Sequence, residues 1–348
     1  MSLTNPSQVL LRNAESMTAN TPLFINLPED GFISAYIELN KQAKISCFNT
    51  NFIDYQAISE KHNTNVACQF SSIYQSKTLH DLVIIAFPKS KAELALTLAN
   101  IAPYLAEDAK VFFVGEKKGG IQSAPKLSQH FLNTCQKLDA ARHCLLFAGI
   151  VQNEQRSKTF NLDDWYKEYK ITIDNIELTI ASLPGVFSQQ KLDVGTSLLL
   201  DNLPDNMLGK VLDFGCGAGV ISCFIGKKHP ETALSLLDVS ALALSSAEKT
   251  ISLNGLQATI FPSNSLSDVK GHYQHIVSNP PFHQGVNTHY QATEDFLSGI
   301  KSHLRAQGII TIVANSFLRY KSIMQQNIGD TQSIAKAHGF TIYQSQIR

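Results

Sequence analysis

From Lys210 onward, short apolar runs alternate with longer amphipathic segments: Lys210–Phe214, Val220–Lys228, Ala233–Asp238, Ala241–Leu253 and Ala258–Pro262, then His275–Ser278, Tyr290–His303 and Ile309–Ala314. Runs this short read as buried strands and the longer amphipathic stretches as helices. Strands alternating with helices predict a parallel sheet covered on both faces, the doubly wound α/β arrangement. Such a sheet binds its ligands beyond the carboxyl ends of its strands.

The first half of the chain repeats the rhythm more faintly, with Pro22–Leu27, Ala43–Asn49, Val66–Phe70, Leu82–Phe87, a helical stretch Ala92–Leu105, and Val111–Val114. The intervals resemble those of the second half, which predicts a duplicated unit. Between the halves lies a polar stretch, Val151–Lys170, holding the single tryptophan, Trp165; Ile171–Ile180 then alternates polar and apolar residues like a hairpin. A boundary is expected there, with one domain over 1–165 and a second over 166–348. The length of 348 residues and the 44% hydrophobic, 17% charged composition fit two folded domains and exclude a disordered or fibrous chain.

Two motifs in the second half carry chemistry. Leu212-Asp213-Phe214-Gly215-Cys216-Gly217-Ala218-Gly219 joins a strand to a helix. Gly215, Gly217 and Gly219 let the backbone approach a ligand closely, and the helix that follows offers free N–H groups and a partial positive charge. Dinucleotide enzymes space their glycines G-x-G-x-x-G. The tighter G-x-G-x-G spacing here favours S-adenosylmethionine over a nicotinamide, with the loop facing the methionine carboxylate. Asp213, at the end of the first strand, is expected to orient this cradle through the methionine amine or nearby backbone. Asp238 ends the next strand, where a carboxylate can accept hydrogen bonds from both ribose hydroxyls. It could alternatively cap the helix near Ser240, itself a plausible N-cap. Asn264, after the third strand, could pair with the adenine edge or serve only as turn chemistry.

The second motif, Ser278-Asn279-Pro280-Pro281-Phe282, follows the strand His275–Ser278. The side-chain oxygen of Asn279 and the main-chain oxygen of Pro280 can accept the two N–H bonds of a planar amine. The prolines hold that carbonyl still, and Phe282 offers a face for stacking. Aligned this way, an amine needs no strong base, because it can attack first and lose its proton afterwards. The motif suits adenine N6, guanine N2, cytosine N4 or a glutamine side chain, so it names a chemistry and not a substrate. Together the two motifs resemble the S-adenosylmethionine-dependent methyltransferases of exocyclic nitrogens. The first half lacks both: it reads Asn26-Leu27-Pro28-Glu29-Asp30-Gly31 in place of the cradle and Ala86-Phe87-Pro88-Lys89 in place of the clamp. A folded but catalytically empty domain is expected.

A longer set of matches is more specific. Leu183-Pro184-Gly185-Val186-Phe187-Ser188, Leu192-Asp193-Val194-Gly195-Thr196, both motifs, Val313-Ala314-Asn315-Ser316-Phe317-Leu318, and in the first half Val114-Gly115-Glu116 and Ala141-Arg142-His143-Cys144 resemble the ribosomal RNA small subunit methyltransferase C family. The resemblance implies two tandem Rossmann-like methyltransferase domains, of which only the second binds S-adenosyl-L-methionine. It also implies transfer of the methyl group to the N2 amine of a guanine in 16S rRNA, guanine 1207, during maturation of the small subunit. By the same resemblance Phe187, Ser188, Asp193 and Gly195 lie over the cofactor, and Asn279, Pro280 and Phe282 grip the guanine. Phe187 could instead be a core anchor in its Pro-Gly turn. The rival enzyme is a glutamine methyltransferase of proteins; the rival of another class is an RNA-binding assembly factor with a vestigial cofactor site.

Lys+Arg and Asp+Glu number 29 each, so no global field recruits a polyanion and RNA would have to meet local basic loops. Lys117-Lys118-Gly119-Gly120, Lys89, Lys91, Arg319 and Lys321 are candidates for phosphate contacts. The partners expected are 16S rRNA or the small ribosomal subunit, with no membrane and a monomeric enzyme. The six cysteines form no C-x-x-C pair and no zinc spacing, so reduced thiols and no metal are expected. The amino-terminal residues have neither a basic start nor an apolar core, which predicts a cytoplasmic protein.

Overall fold

A computed structural model of the chain describes residues 2–189, 191–280 and 287–347. The chain divides into two compact units, Met1–Trp165 and Tyr166–Arg348.

The first unit holds strands β1 (Pro22–Ile25), β2 (Ile45–Asn49), β3 (Val66–Phe70), β4 (His80–Ala86), β5 (Leu105–Glu116), β6 (Leu132–Ala141) and β7 (Cys144–Val151). Its helices are α1 (Asn5–Arg12), α2 (Phe32–Leu39), α3 (Phe52–Lys61), α4 (Lys91–Ile101), and the short α5 (Ala124–Ser128) and α6 (Asn153–Arg156). The strand order is β3-β2-β1-β4-β5-β7-β6. Strands β1 to β5 run parallel. Both faces are buried: Leu82 and Ile84 join one apolar cluster while Val83 and Ile85 join the other. That is why the sequence here reads as an unbroken apolar run instead of an alternation.

The second unit opens with a hairpin, β8 (Lys167–Ile173) and β9 (Ile176–Ser182), turned by Asp174 and Asn175 at φ 49° and 61°. Two consecutive positive φ values are the requirement of a type I′ turn, which Asp and Asn tolerate. Then follow α7 (Val194–Leu200), β10 (Lys210–Phe214), α8 (Val220–Lys228), β11 (Ala233–Asp238), α9 (Ala241–Leu253), β12 (Ala258–Pro262), β13 (Tyr273–Ser278), α10 (Asn287–Gly299), β14 (Leu304–Asn315), α11 (Tyr320–Asn327), β15 (Thr331–Ala337) and β16 (Phe340–Gln346). The sheet order, β12-β11-β10-β13-β14-β16-β15, repeats that of the first unit position by position. The duplication read from the spacing is therefore present as topology.

The parallel-sheet expectation needs one correction. In both units the last two strands are antiparallel, β7 to β5 and β6, and β16 to β14 and β15. Two-residue turns enforce the β6–β7 and β15–β16 pairings, through Arg142 and His143 at φ 51° and 61° and through His338 and Gly339 at φ 52° and 82°. A connection so short cannot make a parallel crossover.

In the first unit the counterpart of the cradle is filled from within. After β1 the chain carries Glu29 and Asp30, and these carboxylates occupy the helix entrance themselves. Asp30 accepts from Phe32 N at 3.2 Å and Thr4 N at 2.7 Å; Glu29 accepts from Gly31 N at 3.2 Å. Glu29 also pairs with Lys61 at 2.6 Å and His62 at 2.8 Å. Donors that would meet an anionic ligand at a helix start are satisfied from within.

Candidate active site

Strands β10 and β13 are neighbours, with Asp213 opposite Val277. The loops that follow them therefore leave the same edge of the sheet side by side. Ser278 Oγ donates to Phe214 O at 2.7 Å, joining the last residue before Asn279 to the last before Gly215, and both ends are buried. Phe214 itself lies in the core, stacked on Phe296 with ring centroids 3.7 Å apart.

The glycine loop is tied to the end of β11. Gly215 N and Cys216 N both donate to Leu237 O at 2.9 Å, and Gly217 N donates to Asp238 Oδ2 at 3.0 Å. Gly215, Gly217 and Gly219 all have positive φ, 70°, 53° and 77°. Their surroundings differ. A Cβ on Gly215 or Gly217 would meet nothing within 4 Å, whereas one on Gly219 would press to 3.2 Å against the Ala247 backbone. The first two glycines face open space and the third is a close approach of loop to α9.

Asp213 is buried beneath the loop. Its Oδ2 accepts from Ser222 N at 3.2 Å and Ser222 Oγ at 2.7 Å, while its Oδ1, also buried, has no partner. Burial pushes its carboxyl up to about 7; the Ser222 bonds oppose the shift and the neighbouring Asp238 adds to it. An unpartnered acidic oxygen beside an open glycine loop with helix N–H groups suits a zwitterionic amino acid, whose ammonium and carboxylate need those complementary groups. The residues present thus fit S-adenosylmethionine.

Asp238 holds the loop and the next helix at once. Its two oxygens take Gly217 N and Ser240 N, the latter at 2.9 Å, and Ser240 caps α9 through Ala243 N at 3.3 Å. Burial raises its carboxyl above the usual range, against the pull of those backbone donors. A carboxylate has about four lone-pair sites, so Asp238 keeps acceptor capacity for a ribose hydroxyl beside the capping role. Ser263, buried after β12, accepts from Asp268 N at 3.2 Å and closes the turn in which the exposed Asn264 stands.

On the clamp side, Asn279 is held by α7. Its Nδ2 donates to Asp193 Oδ2 at 3.2 Å and to Thr196 Oγ1 at 2.8 Å. Asp193 is the N-cap of α7 and accepts from Thr196 N at 3.0 Å. Pro280 is buried. Phe282, and with it Pro281, His283, Gln284 and Gly285, lies outside the described residues. Phe187 is 53% exposed, which removes the core-anchor reading; Leu183, Pro184 and Val186 are the buried residues of that turn. Ser188, at φ 60°, is fixed by Tyr169, whose hydroxyl donates to its carbonyl at 2.9 Å.

Thr196 and Ser278 stand in the motifs read from the sequence but were given no role there, and Ser222 was not singled out. The Asp193-x-x-Thr196 spacing before an apolar run is an N-cap signature and could have flagged the first. The other two have no local signal, because their partners lie on another strand or at the far end of a loop.

The family model "Methyltransferase small domain" matches residues 177–344, and "Methyltransferase small domain N-terminal" matches residues 7–169. The ribosomal RNA small subunit methyltransferase C of Colwellia psychrerythraea is 67% identical over 352 residues, covering 100% of this chain and 99% of the relative. The chain belongs to the ribosomal RNA small subunit methyltransferase C family. The family member of Psychromonas ingrahamii is 40% identical over 97% of this chain and 95% of its own. Among solved structures, the T. thermophilus 16S rRNA N2 G1207 methyltransferase, in complex with AdoMet and guanosine, superposes with a TM-score of 0.85 at 20% identity. That match covers 100% of this chain and 93% of the other, so a methyltransferase C fold spans both units. All six cysteines are free thiols. Among the described residues no helix is long and apolar enough to cross a membrane, and no cluster of side chains could hold a metal.

Proposed function

We propose that the chain transfers a methyl group to the N2 amine of a guanine in 16S rRNA, the position its T. thermophilus structural neighbour names as G1207. The observation that carries this reading is the junction of the two loops at Ser278 and Phe214, 2.7 Å apart. It sets an amine-accepting Asn beside a loop whose open glycines and orphaned Asp213 oxygen suit the cofactor.

S-adenosylmethionine, when bound, supplies the electrophilic methyl group. The chain's own residues do the rest. Gly215, Gly217 and Gly219 shape the cradle, Asp213 and Asp238 offer acceptors in it, and Asn264 stands at the adenine side. Phe187, Ser188, Asp193 and Gly195 close the site from above. The carbonyl oxygen of Asn279 accepts one N–H of the target amine and the main-chain oxygen of Pro280 the other, with Phe282 against the base. Both contacts aim the nitrogen lone pair away from the protein and toward the methyl group. As the nitrogen–carbon bond formed, the methyl–sulfur electron pair would stay on the cofactor's sulfur and the nitrogen would then release its proton to solvent, so Asn279 and Pro280 need supply only acceptors and no buried base is required. Holding the reactants in line is worth roughly 7–11 kcal/mol.

A paired guanine commits one N2 hydrogen to cytosine and keeps its amine in the base stack, where the clamp cannot take both hydrogens, so the base has to be unpaired or flipped out, at a cost of a few kcal/mol. This favours a partly assembled small subunit in the cytoplasm as substrate. The exposed Lys89, Lys91, Lys117 and Lys118, at the carboxyl ends of β4 and β5, and the exposed Arg319 and Lys321 are assigned to phosphate contacts. The first unit, which spans 1–165 and fills its own cradle, serves binding and stability. The enzyme acts as a monomer.

Methyl-labelled cofactor and small subunits from a strain lacking the enzyme test this reading. Label mapped by mass spectrometry to the N2 of one guanine is expected. Label found only in protein, or at another base, overturns it.

A further inference from the structure

We infer that Thr196, with Asp193, is a positioning residue for the methyl transfer: the pair fixes the amide of Asn279 so that its oxygen, and not its nitrogen, faces the target amine. The inference rests on the function proposed above and adds a residue to it.

The two ends of an Asn amide are nearly isosteric, and either end can face a ligand. Only one orientation serves here, since the NH2 group pointed at an amine would oppose donor to donor. The environment of Asn279 decides between them. A carboxylate accepts and never donates, so Asp193 Oδ2, 3.2 Å away, requires the nitrogen end. Thr196 Oγ1, 2.8 Å away, takes the second hydrogen of the same nitrogen. With both hydrogens committed, the remaining polar atom of the side chain, the acceptor Oδ1, is turned away from α7.

The start of α7 is built to keep this geometry. Asp193 is anchored as N-cap by Thr196 N at 3.0 Å, so carboxylate and hydroxyl are presented from one turn. Thr196 is buried, 7% exposed, which limits competition from water for the bond. Between them stands Gly195, where a Cβ would press to 3.0 Å on Asp193 Oδ2 and 3.3 Å on the Phe340 ring. A larger residue there would push the carboxylate off Asn279. These residues lie 83 and 86 positions before Asn279, on a helix that carries neither loop of the site.

The test replaces Thr196 with valine, which keeps the shape and removes the acceptor, and with serine, which keeps the oxygen. Methylation of small subunits and calorimetric binding of S-adenosylmethionine are measured for both. Thr196→Val is expected to lower kcat about tenfold or more while the cofactor Kd stays within about twofold, because a misaligned reacting group loses rate without losing binding. Thr196→Ser is expected to recover most of the loss. A valine variant with wild-type kcat overturns the inference. So does a serine variant as slow as the valine one, which would make packing the cause, or a parallel loss of cofactor affinity, which would place Thr196 in the cradle. If the wild-type protein itself labels no rRNA, the proposed function fails instead, and the two failures are told apart in one experiment.

Discussion

Asp213→Asn should make the protein more stable and its cofactor binding weaker. Burial pushes the Asp213 carboxyl from 3.8 up to about 7. Because the folded value lies above the unfolded one, the folded chain keeps this proton longer. The group's stability contribution is whole below about pH 4 and is lost as the pH rises toward 7. By linkage the loss amounts to roughly 4 kcal/mol once the group is ionised, at 1.36 kcal/mol per pH unit. An amide never ionises. Its oxygen can still accept from Ser222, but its NH2 then takes the place of the unpartnered Oδ1, at a cost of about 1–3 kcal/mol. The net gain at pH 8 is therefore roughly 1–3 kcal/mol, and each kcal/mol raises Tm by about 2–4 °C in a unit of this size. The cofactor's ammonium loses its charged acceptor, worth about 1.5–3 kcal/mol, so its Kd should rise roughly tenfold to a hundredfold. Differential scanning calorimetry from pH 5 to 8, paired with titration calorimetry of S-adenosylmethionine, reads both effects. The stability difference should shrink toward pH 5, and the wild-type affinity should climb through pH 7 while the variant's stays flat. A variant of lower Tm at pH 8 with unaltered cofactor affinity would refute the reasoning.

Asn279→Ala should reduce kcat at least ~100-fold, in the range for deleting a polar group that acts on the reacting atoms, with cofactor Kd nearly unchanged; Asp238→Ala should instead weaken cofactor binding, and the reverse pattern in calorimetry would exchange their roles. Gly217→Ala adds a Cβ into open space at φ 53° and Gly219→Ala adds one 3.2 Å from the Ala247 backbone at φ 77°. The first should cost about 1 kcal/mol of stability and the second more, since it adds overpacking to the backbone strain; urea unfolding compares them. Burial pushes the Glu93 carboxyl up to about 7 in the first unit, so its stability contribution fades as pH rises toward 7, and Glu93→Gln should flatten the pH dependence of that unit's Tm between pH 5 and 8.

Much of the fold was legible because its signals are local. The unbroken apolar run of β4 announces a strand buried on both faces, and the Gly215-x-Gly217-x-Gly219 turn announces itself through conformations that other residues resist. The antiparallel hairpins at the sheet edges were not read, although the turns at Arg142–His143 and His338–Gly339 close them, because neither pair is the Asn-Gly or Asp-Gly that marks a tight hairpin most clearly. Asp213 and Asp238 stand at strand ends as expected, and the bond from Ser240 N to Asp238 answers the capping alternative read for it, yet the hydrogen bonds from Ser222 and Gly217 had no expression in spacing alone.

By itself, then, the chain's order of residues announced the repeated strand–helix rhythm, the glycine turn and the Asn-Pro-Pro motif, since each is written in neighbours within a few positions along the backbone. Only the tertiary structure decided that β10 and β13 lie side by side, so that Ser278 reaches Phe214, and that α7 turns the Asn279 amide. Those contacts span 64 to 86 residues. Chemistry across such intervals is set by how the sheet winds, which no local pattern encodes.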